Sequence, residues 1–273
     1  MDDIDRYLAE DLGEMGDITS DLLFTDEEGE GAVISKESCI VAGLEEAALV
    51  FKKLGVRTIQ EATDGDLVDK GAVVLRMNGR LSSILKGERL ALNFICRMSG
   101  IASETHSLVM ICRRINPNVS IAATRKTTPG FRKYEKKAVV LGGGEAHRLG
   151  LYDMILVKDN HIKGVGSLKE TLQRINEKKT GDLVEVEVET PEEAQVAARM
   201  NVDEIMLDNF DVPTARLTSK TIREINPHIL IEISGGITKE NIVQYAPFAD
   251  RISLGALTHS VKSKDFSLDV TRI

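Results

Sequence analysis

The pattern of apolar and polar positions changes character near residue 100. Before it, helical periodicity over residues 2–11 and 44–55 is interleaved with strand-like runs at AVISK (32–36), VRTIQEAT (56–63) and AVVLRMN (72–78), the last two separated by Gly65 and Gly71. A long stretch, LSSILKGERLALNFICRMSGIASETHSLVMICRRIN (81–116), has helical spacing over most of its length, and Ser99-Gly100 predicts a break within it. These elements predict an N-terminal α/β sandwich.

Beyond residue 117, short β-rich runs alternate with helical patterns, the mark of β/α units around a parallel sheet or barrel. The runs are VSIAATRK (119–126), MILVKDN (154–160), LVEVEVE (183–189), EIMLDN (204–209), ILIEISGG (229–236) and RISLGAL (251–257). Helices are expected at SLKETLQRINEKK (167–179), at PEEAQVAARMN opening on Pro191, at VPTARLTSKTIREIN (212–226), and at KENIVQYAPF (239–248) behind a Thr238 cap. Each β run ends in polar residues or glycine. In β/α barrels the reactive groups sit at the carboxyl ends of the strands, so these endings outline one mouth.

The alternation in VEVEVE puts Val184, Val186 and Val188 on one face and Glu185, Glu187 and Glu189 on the other. On an edge or surface strand the glutamates would form a solvated acidic face. In a barrel covered by helices, the valines would pack outward and the glutamates would point into the lumen. Buried carboxylates then require something cationic, a basic side chain or a metal ion.

Composition narrows the picture. A chain of 273 residues holds one large α/β domain or two modest ones, and 42% hydrophobic with 29% charged residues is a soluble balance. A net charge of −8 with no Trp argues against general affinity for nucleic acid or anionic membrane. Cys39, Cys96 and Cys112 show no CxxC spacing, and neither His147 nor His161 sits in a zinc-type pattern. The acidic start MDDIDRYLAEDLGEM is unlike a signal peptide, and no apolar run could span a bilayer, so a cytoplasmic location is expected.

Within this acidic chain, Thr124–Lys163 carries nine Lys or Arg against four acids, which suggests a local anion site. Arg125, Lys126, Arg148 and Lys158 are candidates to grip negative groups, and Gly142, Gly143 and Gly144 could let backbone amides approach. Arg132, Lys133, Lys136 and Lys137 fit a solvated helix face or donor-phosphate contacts better than ligand contacts. Arg125 is therefore expected to matter far more than Lys136. Glu187 and Asp208 could hold sugar hydroxyls or stabilise positive charge on a sugar carbon. Ser234-Gly235-Gly236 and Ser253-Leu254-Gly255, each closing a β run, suit a phosphate cradle.

The strings GERLALNFICRMSGIAS (87–103), TRKTTPGFRKYEKKAVVLGGGEAHRLGLYDMILVKDNHI (124–162), EVEVE (185–189), IMLDN (205–209), EISGGI (232–237) and ISLGALTHS (252–260), with GDITSDLL (16–23), resemble the motif series of quinolinate phosphoribosyltransferases, in order. The resemblance implies an α/β fold of two domains, an N-terminal sandwich over 1–102, to which a tail at 264–273 returns, and an open, irregular, type II phosphoribosyltransferase-like barrel over 103–263. It implies transfer of phosphoribosyl from phosphoribosyl pyrophosphate to quinolinate with decarboxylation, assisted by Mg²⁺. It implies a homodimer with shared sites, and leaves open whether dimers assemble into hexamers.

Carried over residue by residue, the family's quinolinate grip falls on Arg125, His147, Arg148 and Lys158, with Arg89 reaching across from the partner subunit, and Thr124 is a further substrate-binding residue. Lys126, Lys158, Glu187 and Asp208 carry the catalytic roles: Lys126 near the donor's anionic groups, Glu187 and Asp208 at the ribose and the metal. Ser234, Gly235, Gly236, Ser253, Leu254 and Gly255 fall on the phosphate cradle. Ala146 stands where most family members carry Asn. His161 is expected to order the loop after Lys158. Two rivals remain: a molybdenum-operon relative that shares the RKT and GGG–HR motifs but lacks KDNHI, and a non-catalytic anion-binding or RNA-associated module.

Overall fold

The computed structural model describes residues 2–273. In chain order the elements of the N-terminal part are α1 (Asp3–Leu12), α2 (Ile18–Leu23), β1 (Glu28–Ser35), β2 (Cys39–Ile40), α3 (Leu44–Lys53), β3 (Arg57–Gln60), β4 (Leu67–Val68), β5 (Val73–Arg80) and α4 (Leu81–Arg113). There follow β6 (Ser120–Ala123), α5 (Arg132–Leu141), β7 (Ile155–Val157), α6 (Asp159–Val165), α7 (Leu168–Lys178), β8 (Val184–Val188), α8 (Pro191–Ala198) and β9 (Glu204–Asp208). The chain closes with α9 (Val212–Ile225), β10 (Leu230–Ser234), α10 (Ile242–Tyr245), β11 (Arg251–Leu254), α11 (Ala256–His259) and β12 (Phe266–Arg272).

The chain divides into two compact units. The first runs to His106 and includes Val140–Gly142 and Val261–Ile273; the second comprises Ser107–Val139 and Gly143–Ser260. In the first unit an antiparallel sheet of order β12-β1-β5-β3 is formed, with the C-terminal β12 paired along β1. Helix α3 buries Leu44, Ala47, Val50 and Phe51, an i, i+3, i+6, i+7 stripe.

Helix α4 runs unbroken through Ser99-Gly100, against the expected break. The pair is a docking notch instead. Ser99 Oγ accepts from the Ala42 N–H and donates to the Ala42 carbonyl, and a Cβ on Gly100 would collide with the Lys262 carbonyl. Small residues here are explained by close backbone approach rather than by helix termination.

The second unit is built on six parallel strands in the order β6-β11-β10-β9-β8-β7. Strands β6 and β7 form its two edges, so the barrel is open. The free edge of β6 is met by Glu145, which forms a parallel bridge to Ala122. Helices α7, α8 and α9 are capped by Ser167, Thr190 and Asp211, whose side chains accept from backbone N–H groups one turn on. Thr238 does not cap its helix: its own N–H donates to Asn241 Oδ1, and α10 starts only at Ile242. The segment after Lys158, expected as a loop, is helix α6.

The lumen reading of VEVEVE holds for Glu185 and Glu187 but not for Glu189, which is exposed just past the end of β8, where its N–H donates to Glu193 Oε2. Val184, Val186 and Val188 are buried against the outer layer, while Glu185 is wholly buried on the opposite face. Pairing sets Glu187 beside Met206, Met206 beside Glu232, and Glu232 beside Arg251, so charged side chains of these strands share that inner face. Among the described residues no helix is long and apolar enough to cross a membrane.

Candidate active site

Every strand of the second unit delivers a side chain to one cavity of about 390 Å³ at the carboxyl end of the sheet. It is lined by Thr124, Arg125 and Lys126 just past β6, His147 and Arg148 just past the Glu145 bridge, Lys158 at the end of β7, Glu187 on β8, Asp208 closing β9, Ser234 closing β10 and Ser253 on β11. Leu156, Met206 and Glu232 complete its inner wall. Ten of the fifteen residues singled out from the sequence therefore meet here. Arg89 is an exposed residue of α4 in the first unit.

The glycines expected in a phosphate cradle do not line the cavity themselves but adjoin residues at its wall. Gly235 and Gly236 have left-handed φ of +79° and +61°, and a Cβ on Gly235 would collide with Asn209. A Cβ on Gly255 would lie 2.9 Å from the Lys126 side chain, and Leu254 is buried.

The cations in the cavity are unevenly matched. Lys158 Nζ pairs with Glu187 Oε2. Arg125 Nε is buried and has no hydrogen-bond partner, an expensive state unless an anion completes it. Arg148 is 7% exposed; burial, then repulsion from Arg125, lowers its pKa. Asp208 is shifted the other way, up, by burial and then by Glu187. Two carboxylates that repel each other, beside a guanidinium with an unpartnered Nε, suit a ligand that carries both anions and a cation.

The loops carrying Arg125, His147 and Arg148 are tied down by α5. Lys136, 1% exposed, donates from Nζ to the carbonyls of Ala146 and Arg148 on either side of His147. Glu135 accepts from both the N–H and the hydroxyl of Thr128, fixing the loop after β6. Arg132 donates to Thr127 Oγ1 and to the Leu149 carbonyl. The solvated face expected for these basic residues is thus wrong for Lys136, whose charge is spent on backbone. Position 146 acts through its carbonyl, so alanine suffices there. Gly142–Gly144 are not a ligand cradle either: a Cβ on Gly142 would collide with Ala102 of α4, and the Gly144 N–H closes α5 on the Val139 carbonyl. His161 does order its segment, accepting the Lys158 N–H at Nδ1.

His147 lies in the cavity as expected, but its setting does not follow from the sequence. Its backbone is left-handed, φ +52°, and its Nε2 lies 3.2 Å from Glu185 and 3.4 Å from Glu232. Burial alone would pull the imidazole pKa down, but the two glutamates more than reverse this, raising it to about 9. A group whose folded pKa lies above its unfolded value stabilises fully below the unfolded value and loses that contribution as pH rises through the folded one. Thermal melts should therefore show stability falling as pH rises from about 6.5, more steeply in the native chain than in His147→Asn. Lys136, lowered by burial to about 8, acts in the opposite sense above that pH.

Sequence comparison agrees with this geometry. A family model described as quinolinate phosphoribosyl transferase, C-terminal domain, matches residues 101–269, and its N-terminal counterpart matches 17–99. The chain is 41% identical over 261 residues to a probable nicotinate-nucleotide pyrophosphorylase (carboxylating) of Archaeoglobus fulgidus, covering 93% of this chain and 98% of that one. A protein of the same name from Bacillus subtilis is 41% identical over 277 residues, with coverages of 98% and 92%. The crystal structure of NadC from Streptococcus pyogenes superposes with a TM-score of 0.92 at 36% identity, covering 99% of this chain and 95% of that one. With both domain models matched along the chain, the protein belongs to the quinolinate phosphoribosyltransferase family.

Proposed function

We propose that the protein transfers the phosphoribosyl group of phosphoribosyl pyrophosphate to quinolinate with loss of CO₂, giving nicotinate mononucleotide and pyrophosphate in NAD biosynthesis. The observation that carries this reading is the buried, unpartnered Nε of Arg125 in a cavity shared with Arg148, His147 and Lys158. Quinolinate is a planar dicarboxylate, and forked guanidinium donors match its carboxylates in a way that single point charges do not. Arg89 of the partner subunit completes the grip in a cytoplasmic homodimer.

The pyridine nitrogen attacks the anomeric carbon as pyrophosphate leaves, and positive charge develops on the sugar. Glu187 and Asp208 face that charge, Lys126 faces the departing anion, and the Ser234-Gly235-Gly236 and Ser253-Leu254-Gly255 turns hold the 5′-phosphate. Once alkylated, the ring nitrogen is an electron sink. The C2–carboxylate bond breaks, its electron pair remains at C2, and a proton replaces CO₂. No protein nucleophile is required, and the protein works by positioning and by fixed charge.

Mg²⁺ fits the donor set. Glu187 and Asp208 offer carboxylate oxygens in one cavity, and the rise in the Asp208 pKa from burial and Glu187 is strain that a cation relieves. Bound with the donor, the ion would neutralise pyrophosphate charge. Mixing protein, quinolinate, phosphoribosyl pyrophosphate and Mg²⁺ should change the pyridine absorbance and release CO₂; an absence of both would overturn the proposal.

A further inference from the structure

We propose that Glu185 and Glu232 are positioning residues that hold the His147 imidazole in the cavity wall as a permanent cation. The inference rests on reading the cavity as the quinolinate site, where it adds a positive charge to the grip that does not depend on pH across the neutral range.

Three carboxylates, Glu185, Glu204 and Glu232, lie on the inner face of β8, β9 and β10, and the first and last have no exposed side-chain surface. Arg251 of β11 accounts for part of that charge: its Nη1 reaches Glu204 and Glu232, and its Nε reaches Glu145 at 2.9 Å. Glu185 is left over. Both of its oxygens are buried without a hydrogen-bond partner, and among the described residues its ion-pair partner is His147. Burial raises the Glu185 pKa and the charge of His147 opposes that rise; a neutral imidazole would leave Glu185 an uncompensated buried carboxylate or force it to take up a proton. His147 Nε2 sits between Glu185 and Glu232 and is aimed squarely at neither, so it is held by charge rather than by one directional hydrogen bond.

The backbone supports the same conclusion from another side. The left-handed conformation at His147 is unusual for a residue other than glycine, and it persists because Lys136 grips the carbonyls before and after it. The ring is thus delivered into the lumen by the loop and received there by two acids. Of the groups facing it, Glu185, Glu204 and Glu232 are acidic, while Arg251 and the neighbouring Arg148 are basic. His147, Glu185, Glu204 and Glu232 offer atoms within 4.8 Å of one another, as a metal site would. Arg251 already occupies the Glu204 and Glu232 side, however, and a dication there would be repelled by the guanidinium. An imidazolium satisfies the cluster without displacing it.

The test is a pH titration of the histidine ring resonances of the ¹⁵N-labelled full-length protein, with the His147 signal identified by its loss in His147→Asn. In the native chain the ring should remain doubly protonated past about pH 8. In Glu185→Gln its titration should move down by about one to two units, and KM for quinolinate should rise roughly tenfold between about pH 6 and about pH 8. Returning to the lower pH should restore KM, which would not happen if the substitution had merely damaged packing. Glu232→Gln should act in the same direction. Titration of His147 near the value of free histidine in the native chain would overturn the inference, and that measurement needs no variant beyond the assignment. So would a KM that tracks the native pH profile in both glutamine variants. Turnover is scored separately: an imidazolium ring without turnover sinks the substrate reading, whereas turnover with an ordinary histidine sinks the inference.

Discussion

Replacing Arg125 with alanine should raise KM for quinolinate by roughly 100- to 1,000-fold, corresponding to about 3–4 kcal/mol for a buried, charge-assisted contact. The same substitution should leave the melting temperature unchanged or raise it. In the ligand-free protein Arg125 Nε has no partner, and its charge repels both Arg148 and Lys136. Removing it relieves a cost that is recovered only when an anion binds. Arg125→Lys should recover little, because an ammonium cannot offer two parallel donors to one carboxylate. Steady-state kinetics paired with thermal melts decide the matter: a variant that loses stability and affinity together would show that Arg125 is structural.

Lys136→Met should do what Arg125→Ala does not, and lower stability and activity at once. The methionine fills the same space but leaves the half-buried Ala146 carbonyl and the buried Arg148 carbonyl without their donor, a loss of about 2–4 kcal/mol out of a typical total of about 5–15. The loop bearing His147 and Arg148 would then relax, and a shift of about 1 Å at such residues costs about a hundredfold in kcat/KM. Lys133→Met, on the exposed side of the same helix and stacked on Tyr134, is the control and should leave both quantities near native. Equal behaviour of the two variants would mean that the Lys136 contacts carry no weight.

The contrast between these lysines shows what a sequence can reveal. Strand ends are legible because β runs closing on RK, KDN, LDN or SGG combine two local signals, alternation and punctuation, and neither needs tertiary context. The inward face of β8 is legible for the same reason. Lys136 is not: within RKYEKK all the cations look alike, and only the fold places one of them under a loop ten residues further on. The Ser99-Gly100 pair misleads because small residues mark both helix ends and close contacts, and the partner here is Lys262, far along the chain.

The lumen network is half visible. Glu232 lies between Ile231 and Ile233 in the same parity as Glu185 between its valines, and Arg251 opens the next run. Parity compared across strands, instead of within one, groups these three residues from the sequence alone. His147 offers no comparable signal, because its position depends on a left-handed backbone that nothing local announces.

The turn at Gly235 has a further consequence. Any side chain there would strike Asn209, which is itself left-handed at φ +57° and donates to Asp208. Selection for a chain that can be threaded at all is enough to keep glycine at 235, whatever the cavity holds. A descendant that abandoned its substrate, and let Arg125 and Glu187 drift, would still carry Ser-Gly-Gly at that bend as a fossil of the fold.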